Sequence, residues 1–384
     1  MNDVNAWSAR IAAVALNVVG ITYYNIMPLL LGSAADVHRV TESQLGFAAA
    51  AYTGGAALIN FGGFLWLRQY NWKHLVLVGN LIAALALIYP TFIFSYQTWL
   101  MCNLIAGLAT GIGFGVSIAC LGDTREPERN FAMAYAGQTF LSALLIFNLP
   151  RIDIGLGIFE LGHWIVAALM IAAISLVWIL PAGGAKSGRL PLPASGDKSN
   201  LPRAALVMAL LLLFLNVAAE GAVWAFLERI AVASHLDTKF AATVIAISFF
   251  AAGAGSIVAV VIGTRFGSGK PFMAAIAMSI ASIVFLWVGN SAVIYATGVL
   301  LFAAAWNLGS PYRMALAAKA DVSGRYSTFI PATQTLGAAV GPALGGMLIV
   351  GGSFTYVYVM STVAWIATVF LFFAARNRLR GQGL

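Results

Sequence analysis

An all-α membrane protein with twelve transmembrane helices, built as two six-helix bundles with pseudo-two-fold symmetry, is the fold class this sequence predicts. Three observations predict it. Twelve apolar stretches are each long enough to cross a hydrocarbon core, which takes about 20 residues. The basic residues are sorted into alternate gaps between those stretches. Seventeen of the 21 Lys and Arg fall at one set of ends, and only Arg39, Arg151, Arg229 and Lys239 fall at the other. Short basic loops stay cytoplasmic, so this sorting puts both termini inside a cell membrane, with multiple passes between them. The third observation is one polar linker, rich in Pro, Gly, Ser and Lys, at 181–203. It divides the chain into an N-terminal bundle over 1–180 and a C-terminal bundle over 204–384.

Composition agrees. Charged residues make up 9% of the chain and hydrophobic ones 61%, against roughly 25% charged in a soluble domain. So few charges do not cover a soluble surface of this length. The net charge of +8 reads as cytoplasmic loops facing anionic lipid, with no nucleic-acid partner. Cys102 and Cys120 lie eighteen residues apart in one apolar run. A helix separates them by about 27 Å, too far for a disulfide. The first run is too long and too interrupted by polar residues for a cleavable signal.

In order, the spans are expected at 8–31, 42–65, 74–94, 99–121, 130–150, 157–180, 204–227, 240–262, 271–289, 292–315, 326–350 and 354–375. Helices are required because no barrel alternation is present and backbone groups must be satisfied within each span. The first carries Asn17, Tyr24 and Pro28 on one face, and the fourth carries Asn103, Thr110, Phe114 and Ser117. The fifth adds Gln138, Thr139 and Ser142; the tenth adds Trp306 and Asn307. The two halves echo each other. Arg68 and Arg265, after spans two and eight, stand 197 residues apart, and Arg129 and Arg325, after spans four and ten, stand 196 apart. One offset serving two loops points to an internal duplication, as in many secondary transporters.

The loop after span two reads Gly63-Phe64-Leu65-Trp66-Leu67-Arg68, and the loop after span eight reads Thr264-Arg265-Phe266-Gly267-Ser268-Gly269-Lys270. Both resemble degenerate copies of the Gly-x-Leu-x-Asp-Arg-x-Gly-Arg-Arg loop of the major facilitator superfamily. Leu67 and Thr264 stand where that loop has Asp. With the six-plus-six layout, the resemblance covers essentially the whole chain. It implies alternating access between two six-helix halves, a central cavity lined by spans one, four, seven and ten, and no enzyme activity. It also implies that loop charges latch the cytoplasmic side, here Arg68, Asp123, Arg265 and Arg313; charge that only sets topology is the plainer reading. Many proton-coupled members carry Arg-x-x-x-Gly-x-x-x-Gly in span four. Asn103 takes the Arg position here, ahead of Gly107 and Gly111. Gly337 to Gly346 fits Gly-x-x-x-Gly-Pro-x-x-Gly-Gly, a string resembling the antiporter signature but lying in span eleven rather than five. Gly337, Gly341 and Pro342 are therefore a candidate helix bend, and close packing of small residues is the alternative.

Glu220 is the sharpest candidate for transport chemistry. It lies about sixteen residues into span seven among apolar neighbours, and a buried carboxylate at such depth costs roughly 2.5–3.5 kcal/mol. Asn216, Glu220, Trp224 and Glu228 recur every four residues and form a stripe. Glu220 reads either as a protonatable coupling group or as a carboxyl bonded to a neighbouring helix; Glu228 reads as a solvated residue at the outer interface. Glu160 and His163, one turn apart near the start of span six, read either as a proton relay at the outer side or, more plainly, as an interfacial pair. No Lys or Arg is expected at mid-membrane depth, which argues for a neutral or cationic substrate. The polar set around Glu220, namely Asn17, Tyr24, Asn103, Gln138, Asn216, Trp224 and Asn307, describes an amphipathic pocket. Each also has a packing role available, worth about 0.6 kcal/mol per hydrogen bond between helices.

Other chemistry is missing from the sequence. There is no phosphate-cradling Gly-x-x-x-x-Gly-Lys run, and the four His are scattered without metal-ligand spacing. The expected activity is secondary active transport of a small amphipathic organic compound, neutral or cationic, by proton-coupled export. Uptake by symport or facilitated diffusion is the alternative. No metal or cofactor is expected beyond a coupling proton, and the partners are the substrate and membrane lipid, with the chain acting as a monomer.

Overall fold

The computed structural model of the protein describes residues 3–67, 69–183, 203–263, 265–289, 291–320 and 329–380. Among them the structure is helical, with no strand. The chain divides into two compact units, Met1–Leu192 and Pro193–Leu384. The first contains α1 (Trp7–His38), α2 (Glu42–Phe61), the short α3 (Gly63–Trp66), α4 (Trp72–Phe92), α5 (Tyr96–Gly122), α6 (Pro127–Asn148) and α7 (Ile158–Ile174). The second contains α8 (Arg203–Trp224), the short α9 (Leu227–Ala233), α10 (Thr238–Ile262), α11 (Gly269–Val288), α12 (Ala292–Ala320), α13 (Phe329–Leu348) and α14 (Thr355–Arg380).

The starts of these helices follow from local chemistry. Thr41 caps α2 in a reciprocal box with Gln44. Asn71, Ser95 and Asp237 accept from the first free amides of α4, α5 and α10. Pro127 opens α6, where its missing N–H leaves nothing unsatisfied. Arg39 ends α1 in the left-handed region, at φ 53°.

Ten of the helices, among the described residues, are long and apolar enough to cross a membrane, which makes this an integral membrane protein. The expected twelve is not reached because α2 and α13, each 20 residues long, fall outside the ten. Both are rich in Ala and Gly, which serve close packing and add little hydropathy. In α13, a Cβ on Gly341 would run into the backbone of Ala218 of α8, and one on Gly337 would lie 2.7 Å from the Phe214 carbonyl. In α5, a Cβ on Gly107 would run into the Tyr52 carbonyl of α2. Small residues at these positions let the helix backbones touch.

The two units repeat one packing scheme. In the first, α1 packs on α5, α6 and α7, α2 on α5, and α4 on α5 and α7. In the second, α8 packs on α12, α13 and α14, α10 on α12, and α11 on α12 and α14. Each helix of one set has a partner in the other in chain order, which is the internal duplication in three dimensions.

Two boundaries differ from expectation in ways that matter. The helix begun at Ala292 runs to Ala320, five residues past the expected end of span ten, so Arg313 stands two turns before the helix end and not at its edge. Span seven is not one helix: α8 stops at Trp224, and α9 restarts at Leu227 after Phe226 bonds back to Val223. The expected stripe from Asn216 to Glu228 is therefore continuous only as far as Trp224.

Within the first unit, two sets of contacts tie the segments that carry basic residues to their neighbours. The Arg125 amide donates to Asn5 Oδ1 at 2.9 Å, tying the loop after α5 to the turn before α1. At the start of α4, the Trp72 amide donates to the Ala182 carbonyl at 2.9 Å and Lys73 Nζ to the Trp178 carbonyl at 3.2 Å.

Candidate functional site: polar joints within each unit

In the first unit α1 carries the polar groups into its neighbours. Asn17 Nδ2 donates to Ser117 Oγ of α5 at 3.0 Å, and Gln138 Nε2 of α6 donates to Asn17 Oδ1 at 2.5 Å. One turn and a half further along, the Tyr23 hydroxyl donates to Asn103 Oδ1 at 2.8 Å and lies 3.1 Å from His163 Nε2 of α7. Asn103 Nδ2 donates to the Trp99 carbonyl at 3.0 Å, and His163 Nδ1 lies 2.7 Å from the Phe159 carbonyl, so that nitrogen holds the hydrogen. Nearby, Thr110 Oγ1 and the Tyr52 hydroxyl bond at 3.1 Å, and the rings of Tyr23 and Tyr52 are 4.5 Å apart. Tyr23, Tyr52, Asn103, Thr110 and His163 are all buried.

The network thus uses Tyr23, where the sequence pointed to Tyr24; Tyr24, the next residue along α1, is half-buried. His163 is corrected more sharply. It is a buried member of the network, bonded to α1 and its own helix, and not half of an interfacial pair with Glu160.

The second unit holds an ion pair at the corresponding joint. Arg313 of α12 faces Glu220 of α8 in a two-pronged contact, Nη1 to Oε1 at 2.6 Å and Nη2 to Oε2 at 2.9 Å. Nη1 also donates to Asn216 Oδ1, one turn earlier on α8, and Nη2 donates to Ser310 Oγ at 2.8 Å. Glu220 and Arg313 are each 2% exposed. A planar guanidinium matches a carboxylate in this fork geometry, where an ammonium would act only as a point charge.

This overturns two expectations. Arg313, expected among solvated charges at a cytoplasmic gate, is buried against Glu220. The acid is accordingly not alone, and the expectation that no basic side chain stands with it fails. The physical reason is the length of α12: Met314-Ala315-Leu316-Ala317-Ala318 continues the apolar pattern past the arginine. A signal was in the sequence. Glu220 stands 196 residues after Tyr24 and Arg313 stands 196 after Ser117, so the repeat offset itself puts Arg313 at the depth of a residue well inside α5.

The remaining candidates divide. Trp224 is buried, edge-to-face with Phe249 at 5.7 Å and Trp306 at 6.4 Å. Asn307 is half-buried on α12. Glu228, expected at a wet interface, is 1% exposed; Thr238 Oγ1 donates to its Oε1 at 3.0 Å, and Arg229 lies 3.8 Å away. Asp123 is the half-buried C-cap of α5, and Arg265 is exposed in the loop before α11. Arg68 lies outside the described residues. Pro342 lies inside α13, which continues through it, and its ring faces Gly221 of α8. Among the described residues, no cluster of His, Cys, Asp or Glu has the makings of a metal site.

No family model matches the chain, and no curated protein matches it. Solved structures do. The nucleoside transporter NupG is similar with a TM-score of 0.73 at 14% identity, covering 96% of this chain and 98% of that one. The xylose transporter XylE from E. coli gives 0.73 at 12% identity over 95% and 97%. A bacterial homolog of the human lysosomal transporter Spinster gives 0.68 at 13% identity over 97% and 95%. These likenesses span nearly the whole of each chain, at identities that show a shared fold alone.

Proposed function

We propose that the protein is a twelve-span secondary active transporter in the cell membrane, moving a small amphipathic organic compound by alternating access with a proton as the coupling ion. The observation that carries this reading is the buried Glu220–Arg313 pair. A carboxylate and a guanidinium taken out of water recover little beyond their desolvation cost, so a purely structural joint is served as well by neutral groups, as α1 and α5 do with Asn17 and Ser117. A pair is different in one respect: a single proton delivered to Glu220 opens it. Intramembrane acids of this kind mark ion and substrate pathways by default. Within the second unit Asn216, Trp224 and Asn307 would shape the surroundings of the solute; within the first, Tyr24, Asn17, Asn103 and Gln138 are the groups proposed for the same task, with Asp123, Arg68 and Arg265 at the loops.

Export is supported by the Gly-x-x-x-Gly-Pro string of α13, which packs on the helix that carries Glu220. Uptake by symport is the second reading, and the likeness in fold to a D-xylose-proton symporter favours it. A lone acid was the ground for a cationic solute; Arg313 removes that ground.

The test is solute-driven proton flux in liposomes containing the purified protein, with a panel of lipophilic cations, neutral aromatics, nucleosides and pentoses. Wild type is expected to move protons with at least one of them, and Glu220→Gln to abolish that flux. Solute movement without proton flux in wild type would make the protein a uniporter, and proton flux surviving in Glu220→Gln would remove Glu220 from the mechanism.

A further inference from the structure

The hydrogen bonds at the α8–α12 joint do not balance. Arg313 offers five N–H groups. Those on Nη1 and Nη2 are directed at Asn216 Oδ1, both Glu220 oxygens and Ser310 Oγ. Its Nε–H has no acceptor among the described residues, and neither does the Nδ2 amide of Asn216. Both side chains are almost fully buried, Asn216 at 1% and Arg313 at 2% exposure. Turning the Asn216 amide over does not help, because that would set an NH₂ group against the guanidinium. A buried donor without an acceptor is costly and calls for an explanation. Here three N–H bonds without an acceptor belong to one charged locus, whose protein acceptors, Asn216 Oδ1, the two Glu220 oxygens and Ser310 Oγ, all face the Nη1 and Nη2 groups of Arg313.

Charge balance narrows the missing acceptor. As it stands, the locus is neutral, one carboxylate against one guanidinium. The other helices packed on α8 bring little ionisable material. Among the described residues, α13 has none; α14 carries Tyr356, Tyr358 and the arginines Arg376, Arg378 and Arg380 in its last turns; and α12 adds Tyr295, Tyr312 and Lys319. None of these is an acid. A proton placed on Glu220 therefore leaves Arg313 as an uncompensated buried cation beside unused donors.

We infer that the solute recognised at this joint is an organic monoanion, a carboxylate whose oxygens take the Arg313 Nε–H and the Asn216 amide while Glu220 is protonated. This rests on the proton-coupled reading and extends it to a solute class. Proton and anion then enter the locus together and leave its net charge unchanged. A primary amine has donors where the site also has donors, and brings a second positive charge to Arg313. An uncharged carbonyl would satisfy the donors but not the cation.

The probes are matched sets on one scaffold: benzoate, benzamide and benzylamine, and hexanoate, hexanamide and hexylamine. Their binding to the full-length purified protein is read by thermal shift and by proton-gradient-driven uptake into liposomes. The carboxylates are expected to bind better as pH falls, and the amides and amines to give little. Glu220→Gln, which leaves Arg313 permanently unpaired, is expected to bind carboxylates at neutral pH about tenfold tighter than wild type, without the pH dependence. Arg313→Gln is expected to lose them by tenfold or more. Because that variant leaves Glu220 buried alone, the double variant Glu220→Gln/Arg313→Gln is the control that stays folded; it too should bind no carboxylate.

Preference for the amines or amides, or no response to any member, overturns the inference. So does a double variant that retains carboxylate binding. The proton-coupled reading stands or falls separately. An amine whose transport drives protons in wild type but not in Glu220→Gln would keep that reading and discard the anion.

Discussion

The joint between α1 and α5 and the joint between α8 and α12 occupy corresponding places in the two units, yet one is neutral and the other ionic. In the first, Asn17, Ser117 and Gln138 meet through amide and hydroxyl groups. In the second, Glu220 and Arg313 meet as opposite charges, with Asn216 and Ser310 around them. The helix scaffold is the same in both, down to the order in which helices pack. Duplication preserved the packing and left the chemistry free to diverge. A neutral joint has one state at any accessible pH, whereas an ion pair has two, separated by a proton. On the proposed proton-coupled reading, one unit holds and the other switches.

The largest effect expected from breaking this comparison is at Arg313. Arg313→Gln strands a buried carboxylate and should lower stability by about 3–5 kcal/mol, with Glu220→Gln/Arg313→Gln recovering most of the loss. The corresponding Ser117→Ala in the neutral joint should cost only about 0.6 kcal/mol. Thermal or denaturant unfolding in detergent measures both, and equal losses at the two sites would dissolve the contrast.

Next come the small residues that belong to the shared scaffold. Gly107→Ala and Gly341→Ala each push a methyl group into a neighbouring backbone, and each should cost about 1–3 kcal/mol. Gly253→Ala on α10, where nothing lies within 4 Å of the added carbon, should be neutral or should stabilise by up to about 1 kcal/mol. Matched losses in the two units would extend the symmetry from packing order to energetics.

A comparable or smaller effect separates two adjacent residues of α1. Tyr23→Phe removes the donor to Asn103 and the partner of His163, and should cost about 1–3 kcal/mol. Tyr24→Phe should be milder in the same unfolding assay. If Tyr24→Phe proves the more damaging, the buried network is not what holds α1 to α5 and α7.

The sequence carried the architecture well because membrane folding writes it in bulk properties. Apolar run length, the sorting of Lys and Arg and the 181–203 linker are each averages over many residues, and no contact is needed to read them. The same averaging lowers the hydropathy of α2 and α13, which are built of Ala and Gly for close packing, although both runs still read as spans. It also misplaced Arg313. A basic residue near the end of an apolar run reads as a loop charge, and it is the continuation of α12 to Ala320, with Glu220 of α8 facing it, that makes it a buried one.

At the level of single residues, the sequence determined that Glu220 is an acid among apolar neighbours and that Asn17, Asn103, Asn216 and Gln138 lie on helices able to bring them together. Whether such an acid is paired, and with what, was decided by the tertiary structure. Glu220 and Arg313 are 93 residues apart in the chain, and nothing in the local pattern of either names the other. Tyr23 and Tyr24 differ by one position and so by about 100° around α1. Which of them meets Asn103 and His163 depends on the rotation of that helix against its neighbours, which close packing sets and a one-dimensional pattern does not contain.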